Sequence, residues 1–223
     1  MPVCRYRIQG SDAVAGSLTS FMRRSSVLFL RRLANRNMTI YAQLDQLERC
    51  GIVPNPGVGV ADLLARHTER QYETDPFRLL LRVLGEESND LEQMPLCDNL
   101  WHLRVGCITG PTDYAHMARR MATLAGDDLP ITKIRDEFDW ASGVAWLIFN
   151  VRGQEIAWPA RVRESWIDPA VFSRFAALLE AQDAERRFTY LDLGGQDALI
   201  SCATPAQFAE IRRRTGLRFE WLG

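Results

Sequence analysis

The chain has 223 residues, of which 47% are hydrophobic, and a formal net charge of −1. This length allows one large domain or two small ones with a substantial core. The near-neutral charge argues against a protein that holds a polyanion by bulk electrostatics. No apolar run approaches the ~20 residues of a membrane span.

The five cysteines are widely spaced and form no CxxC pair. An odd number without metal-ligand spacing argues against a disulfide framework or a zinc site. We therefore expect buried, reduced thiols in a cytosolic protein.

The first 37 residues form a basic leader. They carry seven arginines and a single acidic residue, Asp12, so the remainder of the chain is acidic. Three interpretations stay open: a transit-like peptide, a basic arm for nucleic acid, and a misassigned start with translation from Met38. We expect residues 1–37 to stand outside the fold, and we expect contact with nucleic acid only through them.

Residues 38–97 have the pattern of a small helical segment. Three helices are predicted, beginning at Ile40, at Val60 and, with Asp75 as its N-cap, at Pro76. Gly51 and Gly85 end the first and the third of them. The acidic, irregular run at 86–99 marks a boundary with a second domain at 98–223.

Residues 98–223 alternate strands with single helices. The predicted strands are Leu100–Ile108, Ile131–Trp140, Val144–Phe149, Glu155–Val162, Phe188–Leu193, Ala198–Ala203 and Leu217–Leu222. Helices are predicted after Gly110-Pro111, at Asp168-Pro169 and at the capping box Thr204–Gln207. This order predicts an α+β fold, with a largely antiparallel sheet of six to seven strands and helices packed on it.

A hairpin between Val144 and Val162 is the predicted centre of this sheet. Its first strand, Val144–Phe149, is apolar at every position, which is typical of a strand covered on both faces. Its second strand follows the turn at Arg152-Gly153 and alternates apolar with polar residues, which indicates one wet face. We interpret the hairpin as scaffold.

The strongest candidate for chemistry is the cluster of His102, Cys107, Asp113 and His116. A strand followed by a helix could place Cys107 beside His116 as nucleophile and base, or gather metal ligands. The spacing matches no established pattern, and an ordinary histidine on an amphipathic helix is the favoured interpretation of His116. We therefore predict no catalytic residue, no metal and no cofactor, and we keep a hydrolase using Cys107 and His116 as the alternative.

An acidic run on the predicted strand before the hairpin suggests a contact surface. Asp136, Glu137 and Asp139 are followed by Trp140, and carboxylates mixed with aromatic side chains are common where a protein engages a basic partner. We predict these four residues as partner-binding residues. The alternative is a half-buried strand whose acids simply face water.

Five short segments of the second domain are typical of one group of proteins. They are Trp166-Ile167-Asp168-Pro169, Phe188-Thr189-Tyr190, Gly195-Gln196-Asp197, Thr204–Gln207 and the closing Gly216-Leu217 with Trp221-Leu222. Through them, residues 98–223 resemble bacterial immunity-type proteins of polymorphic toxin systems and of type VI or contact-dependent competition systems. The resemblance implies a small, acidic, cytosolic α+β protein that inhibits a cognate toxin by direct binding. We accordingly predict a non-catalytic cytosolic binding protein whose partner is a toxin with a basic surface.

Overall fold

The computed structural model describes residues 38–87, 95–104, 110–139, 141–162, 167–195 and 197–223. The helices among them are α1 (Ile40–Glu48), α2 (Val60–Leu64), α3 (Glu69–Thr74), α4 (Arg78–Gly85), α5 (Asp113–Ala125), α6 (Pro169–Glu180) and α7 (Pro205–Thr215). The strands are β1 (Leu100–Arg104), β2 (Ile131–Asp139), β3 (Val144–Val151), β4 (Gln154–Arg161), β5 (Arg187–Gly194), β6 (Asp197–Ala203) and β7 (Glu220–Trp221). The predicted α+β class is confirmed. The leader lies outside the described residues.

One buried amide, that of Gln43, joins the N-terminal helices. Its Nε2 donates to the carbonyl oxygens of Met38 at 2.8 Å and Tyr72 at 3.0 Å, and its Oε1 accepts from the Phe77 N–H at 2.9 Å. Phe77 has a positive φ of 68°, so α4 begins after it, at Arg78, and the predicted start at Pro76 is wrong. This contact from α1 spans 34 residues of sequence, which local capping signals cannot register.

The seven strands form two antiparallel sheets. The four-stranded sheet has the order β1-β6-β5-β7, and the three-stranded sheet has the order β2-β3-β4. The predicted number of strands and their antiparallel pairing are confirmed. The single sheet of the prediction is divided in two because β2, β3 and β4 pair only with one another.

Helices α5 and α6 lie between the two sheets. Helix α5 contacts β1 and β6 of one sheet and β2 and β3 of the other, while α6 contacts β5 and β4. Their apolar residues, such as Met121 and Phe175, are buried in the core that fills this space. The interlayer core therefore covers one face of each sheet.

The opposite face of the four-stranded sheet is also covered. Trp101 and Phe188 face the interlayer core, whereas Leu191 and Leu199 face a second core built with the N-terminal helices. A strand that is covered on both faces has a nearly continuous run of apolar residues instead of an alternation of apolar and polar ones. The four-stranded sheet is thus the interior scaffold of the chain.

The three-stranded sheet is covered on one face only. Leu147 and Phe149 of β3 are fully buried in the interlayer core, but Trp146, the residue before Leu147, is 43% exposed. The prediction that Val144–Phe149 is covered on both faces is therefore wrong. Successive side chains of a strand point to opposite faces. Among the described residues, no layer of structure covers the side chains of β3 that point away from the interlayer core.

A candidate partner-binding face

The exposed side of the three-stranded sheet, called the outer face below, consists of three cross-strand rows. The strand register places Glu137 beside Trp146 and Pro159, Arg135 beside Ile148 and Ala157, and Asp139 beside Val144 and Arg161. Each row has a charged residue on β2 and an apolar residue on the central strand β3, and β4 contributes Pro159, Ala157 and Arg161. The outer face consequently has a charged edge at β2 beside an apolar strip that extends over β3 and β4.

The middle of the outer face presents apolar area to solvent. Trp146, Ala157 and Pro159 are exposed, and Ile148 beneath them is 8% exposed. In the described part of the chain, the other large hydrophobic side chains with comparable exposure are Tyr41, Val53 and Leu64, all in the N-terminal helical segment. Trp146 is therefore the exposed aromatic residue of the two sheets.

The charged edge of the outer face is incompletely neutralised. The Arg135 guanidinium lies 3.7 Å from a Glu137 carboxylate oxygen and 3.4 Å from one of Glu155. Two carboxylates thus share one cation, and all three side chains are about half exposed or more. Solvent-exposed pairs of this kind contribute little to stability, so their charges remain accessible to a partner.

Asp139, one of the predicted partner-binding residues, has a local structural role. Its carboxylate accepts from the Ser142 hydroxyl at 2.6 Å and from the Ala141 N–H at 3.0 Å, which holds the turn between β2 and β3. These hydrogen bonds, that of the Ser142 hydroxyl first, lower the pKa of Asp139. The residue stays ionised and exposed at the corner of the outer face.

Asp136, another predicted partner-binding residue, points to the covered face of the sheet. Its two carboxylate oxygens accept from the backbone N–H groups of Thr112 at 2.7 Å and Ala115 at 2.9 Å. These donors belong to the N-terminus of α5, whose first-turn N–H groups need acceptors and whose dipole favours a negative charge. Asp136 therefore anchors α5 to β2, although it is 21 residues distant in sequence from Ala115.

The predicted set is thus divided by its environment. Glu137 and Asp139 lie on the outer face, Asp136 lies on the covered face, and Trp140 lies outside the described residues. Trp146, which sequence reasoning assigned to a buried strand, is the exposed aromatic side chain beside them. The one available signal was strand alternation, and it was hidden because every residue from Val144 to Phe149 is apolar.

A second place in the fold brings predicted residues together. His102, Asp113 and His116 all line one cavity of about 380 Å³ beside β1 and α5. Cys107, the fourth member of the predicted cluster, lies outside the described residues. The described lining contains no hydroxyl, thiol or lysine amine that could act as a nucleophile.

His116, one of the residues that line this cavity, contacts a carboxylate. Its Nε2 lies 3.0 Å from both carboxylate oxygens of Glu87, and the Arg120 Nε lies 3.0 Å from one of them. Burial raises the pKa of Glu87, but the hydrogen bond and charge of His116 and the charge of Arg120 outweigh it, and the pKa lies below its usual value. The cluster joins α5 to the end of the helical segment.

His102 lies deeper, on the face of β1 opposite to that of Trp101. Its side chain is 2% exposed, and its Nε2 lies 3.6 Å from an Asp197 carboxylate oxygen. Burial lowers the pKa of His102, and Asp197 opposes that effect. The imidazole is consequently kept neutral near pH 7.

The described cysteines are structural thiols. Burial raises the pKa of Cys50 and Cys97 to about 11 and that of Cys202 to about 12. Because the thiolate is the reactive form, the raised pKa disfavours reaction of these three side chains at neutral pH. No group of three or more His, Cys, Asp or Glu side chains in the described ranges is arranged to hold a metal ion.

No helix among the described residues combines the length and the apolar character that a membrane span requires. Comparisons of the chain with models of protein families, with curated proteins and with solved structures find no match. The outer face and the cavity are therefore interpreted from their own geometry.

Proposed function

We propose that the chain is a non-catalytic binding protein that docks a protein partner on the outer face. The observation that carries this proposal is the half-exposed indole of Trp146 in an apolar strip beside the charged β2 edge. Protein interfaces have this organisation, with an apolar centre and a polar rim. Tryptophan is also among the side chains that most often dominate binding energy.

The charge of the rim supports a basic partner. Glu137 and Glu155 share the single cation Arg135, and residues 38–223 as a whole carry more acidic than basic side chains. Complementary charge at a rim speeds association and selects the orientation of the complex. A partner with a basic surface would complete the neutralisation of both carboxylates.

The partner that we propose is a bacterial toxin, which the chain neutralises as an immunity protein. This choice of partner class comes from the resemblance of residues 98–223 to immunity-type proteins. An inhibitor of this kind needs a rigid exposed surface and no catalytic group. The two-core scaffold behind the three-stranded sheet supports such a role, because it fixes the sheet from one side only.

Growth rescue tests the proposal. The proposal requires a cognate toxin gene, which we expect beside this chain's own gene; its toxin domain is expressed from an inducible promoter in bacteria, alone or together with the chain. We expect the wild-type chain to restore growth and to co-elute with the toxin domain. We expect Trp146→Ala to lose rescue, with affinity reduced by at least about 30-fold.

Tyr41→Ala is the matched control, because Tyr41 is an exposed aromatic residue in the N-terminal helices. It should restore growth like the wild type. Far-ultraviolet circular dichroism establishes that both variants fold. Failure of the wild-type chain to restore growth or to co-elute would overturn the proposed partner, and full rescue by a folded Trp146→Ala chain would overturn the proposed surface.

A further inference from the structure

Strand β2 lies at one edge of the three-stranded sheet, and the direction of its hydrogen-bonding groups follows from β4. Arg161 of β4 donates its N–H to the Asp168 carboxylate at 3.0 Å, and its carbonyl accepts from the Tyr114 hydroxyl at 3.1 Å. Both groups therefore point away from β3. In an antiparallel ladder opposite residues share this property, so Val144, opposite Arg161, directs its own groups to β2.

The same alternation in the direction of backbone N–H and carbonyl groups applies to β2. Val144 and Trp146 bond to β2, where they lie opposite Asp139 and Glu137. Asp136, between these two, must direct its N–H and carbonyl away from β3. Among the described residues, no backbone or side-chain group bonds to either of these Asp136 backbone groups.

The two edges of the three-stranded sheet differ in their protection. On the β4 edge, Pro159 has no N–H, and its carbonyl accepts from the Arg174 guanidinium at 2.6 Å. Proline and occupied backbone groups are devices that prevent strand addition. On the β2 edge, a register shift between Thr132 and Arg135, with Lys133 at a positive φ of 52°, interrupts the strand before Asp136, but the described residues leave the Asp136 backbone groups without such a device. The core-side residues of β2 are half-buried, whereas their β3 neighbours Ala145 and Leu147 are fully buried.

The side chains around Asp136 are complementary to a second copy of themselves. If two β2 strands pair antiparallel about a two-fold axis at Asp136, each Arg135 lies opposite Glu137 of the other copy. Cross-strand pairs of opposite charge stabilise a sheet, and like charges destabilise it. An axis at Arg135 would place arginine against arginine, and an axis at Glu137 would place glutamate against glutamate.

In this arrangement the Asp136 carboxylates of the two copies meet at the axis, and the negative charge of each is already compensated within its own copy. Each accepts from two N–H groups at the N-terminus of its own α5, whose partial positive charge offsets the carboxylate. The Asp136 backbone groups can then exchange two N–H···O=C bonds across the axis, because both point outward.

We propose that the chain forms a homodimer by antiparallel pairing of β2 with β2 of a second copy, in the register centred on Asp136. The two three-stranded sheets become one six-stranded sheet. Their outer faces then lie side by side and present two copies of Trp146. This association goes beyond the proposed function, and it uses Arg135 and Glu137, which also belong to the charged edge of the outer face.

Charge-swap variants of the full chain test the register, with sedimentation equilibrium as the readout. The wild type should dimerise reversibly as its concentration rises from about 1 µM to 500 µM, a range suited to a small interface. Arg135→Glu places glutamate against Glu137, and Glu137→Arg places arginine against Arg135. Each should weaken self-association by about tenfold or more.

An equimolar mixture of these two single variants restores both cross-strand ion pairs, and we expect it to form a heterodimer with close to wild-type affinity. The double variant Arg135→Glu, Glu137→Arg should likewise recover the homodimer. These recoveries separate cross-strand pairing from a general loss of folding. A wild-type chain that is monomeric at 500 µM overturns the proposal, and so does a dimer whose affinity is unaffected by the single reversals.

Discussion

The four-stranded and the three-stranded sheet use the same antiparallel pairing, but they differ in how many of their faces are covered. The four-stranded sheet lies between two cores, whereas the three-stranded sheet contacts only the interlayer core. A sheet with both faces covered can vary little without loss of packing. A sheet with one free face can change its outward residues at small cost, and this freedom suits a surface that recognises a partner.

The close packing around the four-stranded sheet is visible at Gly85, the last residue of α4. A Cβ atom at this position would lie 2.8 Å from the backbone N of His102 and 3.1 Å from the carbonyl carbon of Trp101. Real Cβ atoms do not approach backbone atoms so closely, so α4 can contact β1 only through a glycine. Such contacts bind the helical segment to the scaffold.

The largest effect on stability is expected in β3, whose side chains alternate between the interlayer core and the outer face. Phe149 is fully buried and contacts Trp158 and Phe175, with ring centroids 4.8 Å and 5.8 Å away. We expect Phe149→Ala to lower the free energy of unfolding by about 3–5 kcal/mol. Trp146→Ala, three residues earlier on the outer face, should lower it by at most about 1 kcal/mol. Urea denaturation measures both, and equal losses would mean that the outer face is covered.

A smaller effect distinguishes two neighbouring carboxylates of β2. Asp136→Ala removes the acceptor for two N–H groups of α5, and we expect a loss of about 1–2 kcal/mol. Glu137→Ala removes only an exposed ion pair and should change stability by at most about 0.5 kcal/mol.

Asp136→Asn is the matched control for this pair, since an amide oxygen can still accept one of the N–H groups. It should fall between the wild type and Asp136→Ala in thermal denaturation. If Asp136→Ala proves as stable as Glu137→Ala, Asp136 does not anchor α5.

The smallest effect is a dependence of stability on pH at His102. Burial lowers its pKa in the folded chain, with Asp197, Arg82, Glu86 and Arg104 as the surrounding charges. The unfolded chain, with the ordinary pKa of about 6.5, therefore binds a proton that the folded chain resists. The contribution of His102 is complete above that pH and is lost as the pH falls, with a slope of at most about 1.4 kcal/mol per pH unit.

His102→Asn cannot take up a proton at this position, so it should flatten the profile of unfolding free energy between pH 7.5 and pH 5.5. Urea denaturation at a series of pH values measures the slope of each chain. A variant whose slope equals that of the wild type would show that His102 is not the group responsible.

Sequence reasoning succeeded where the signal was local. Thr204 and Gln207 form the predicted capping box of α7, with reciprocal hydrogen bonds of 3.0 Å and 3.2 Å, and Asp168 caps α6 as expected. Each of these contacts joins residues no more than three positions apart, so the residue types alone determine it.

Sequence reasoning failed where the determining contact was distant. Nothing near Asp136 in sequence indicates that α5 will place two N–H groups beside it. The exposure of Trp146 depends on the absence of a covering layer, which an apolar run cannot encode. The division of seven strands into two sheets has the same origin, because strand order depends on pairing between remote segments.

Hydroxyl-radical footprinting of the chain, free and mixed with a toxin domain of the class proposed as its partner, tests the central claim most directly. It compares oxidation of Trp146 on the outer face with oxidation of Tyr41 on the helical segment. We expect both side chains to be oxidised in the free chain, and Trp146 alone to become protected in the complex. Protection of Tyr41 with unchanged oxidation of Trp146, or a Trp146 already protected in the free monomer, would contradict the account.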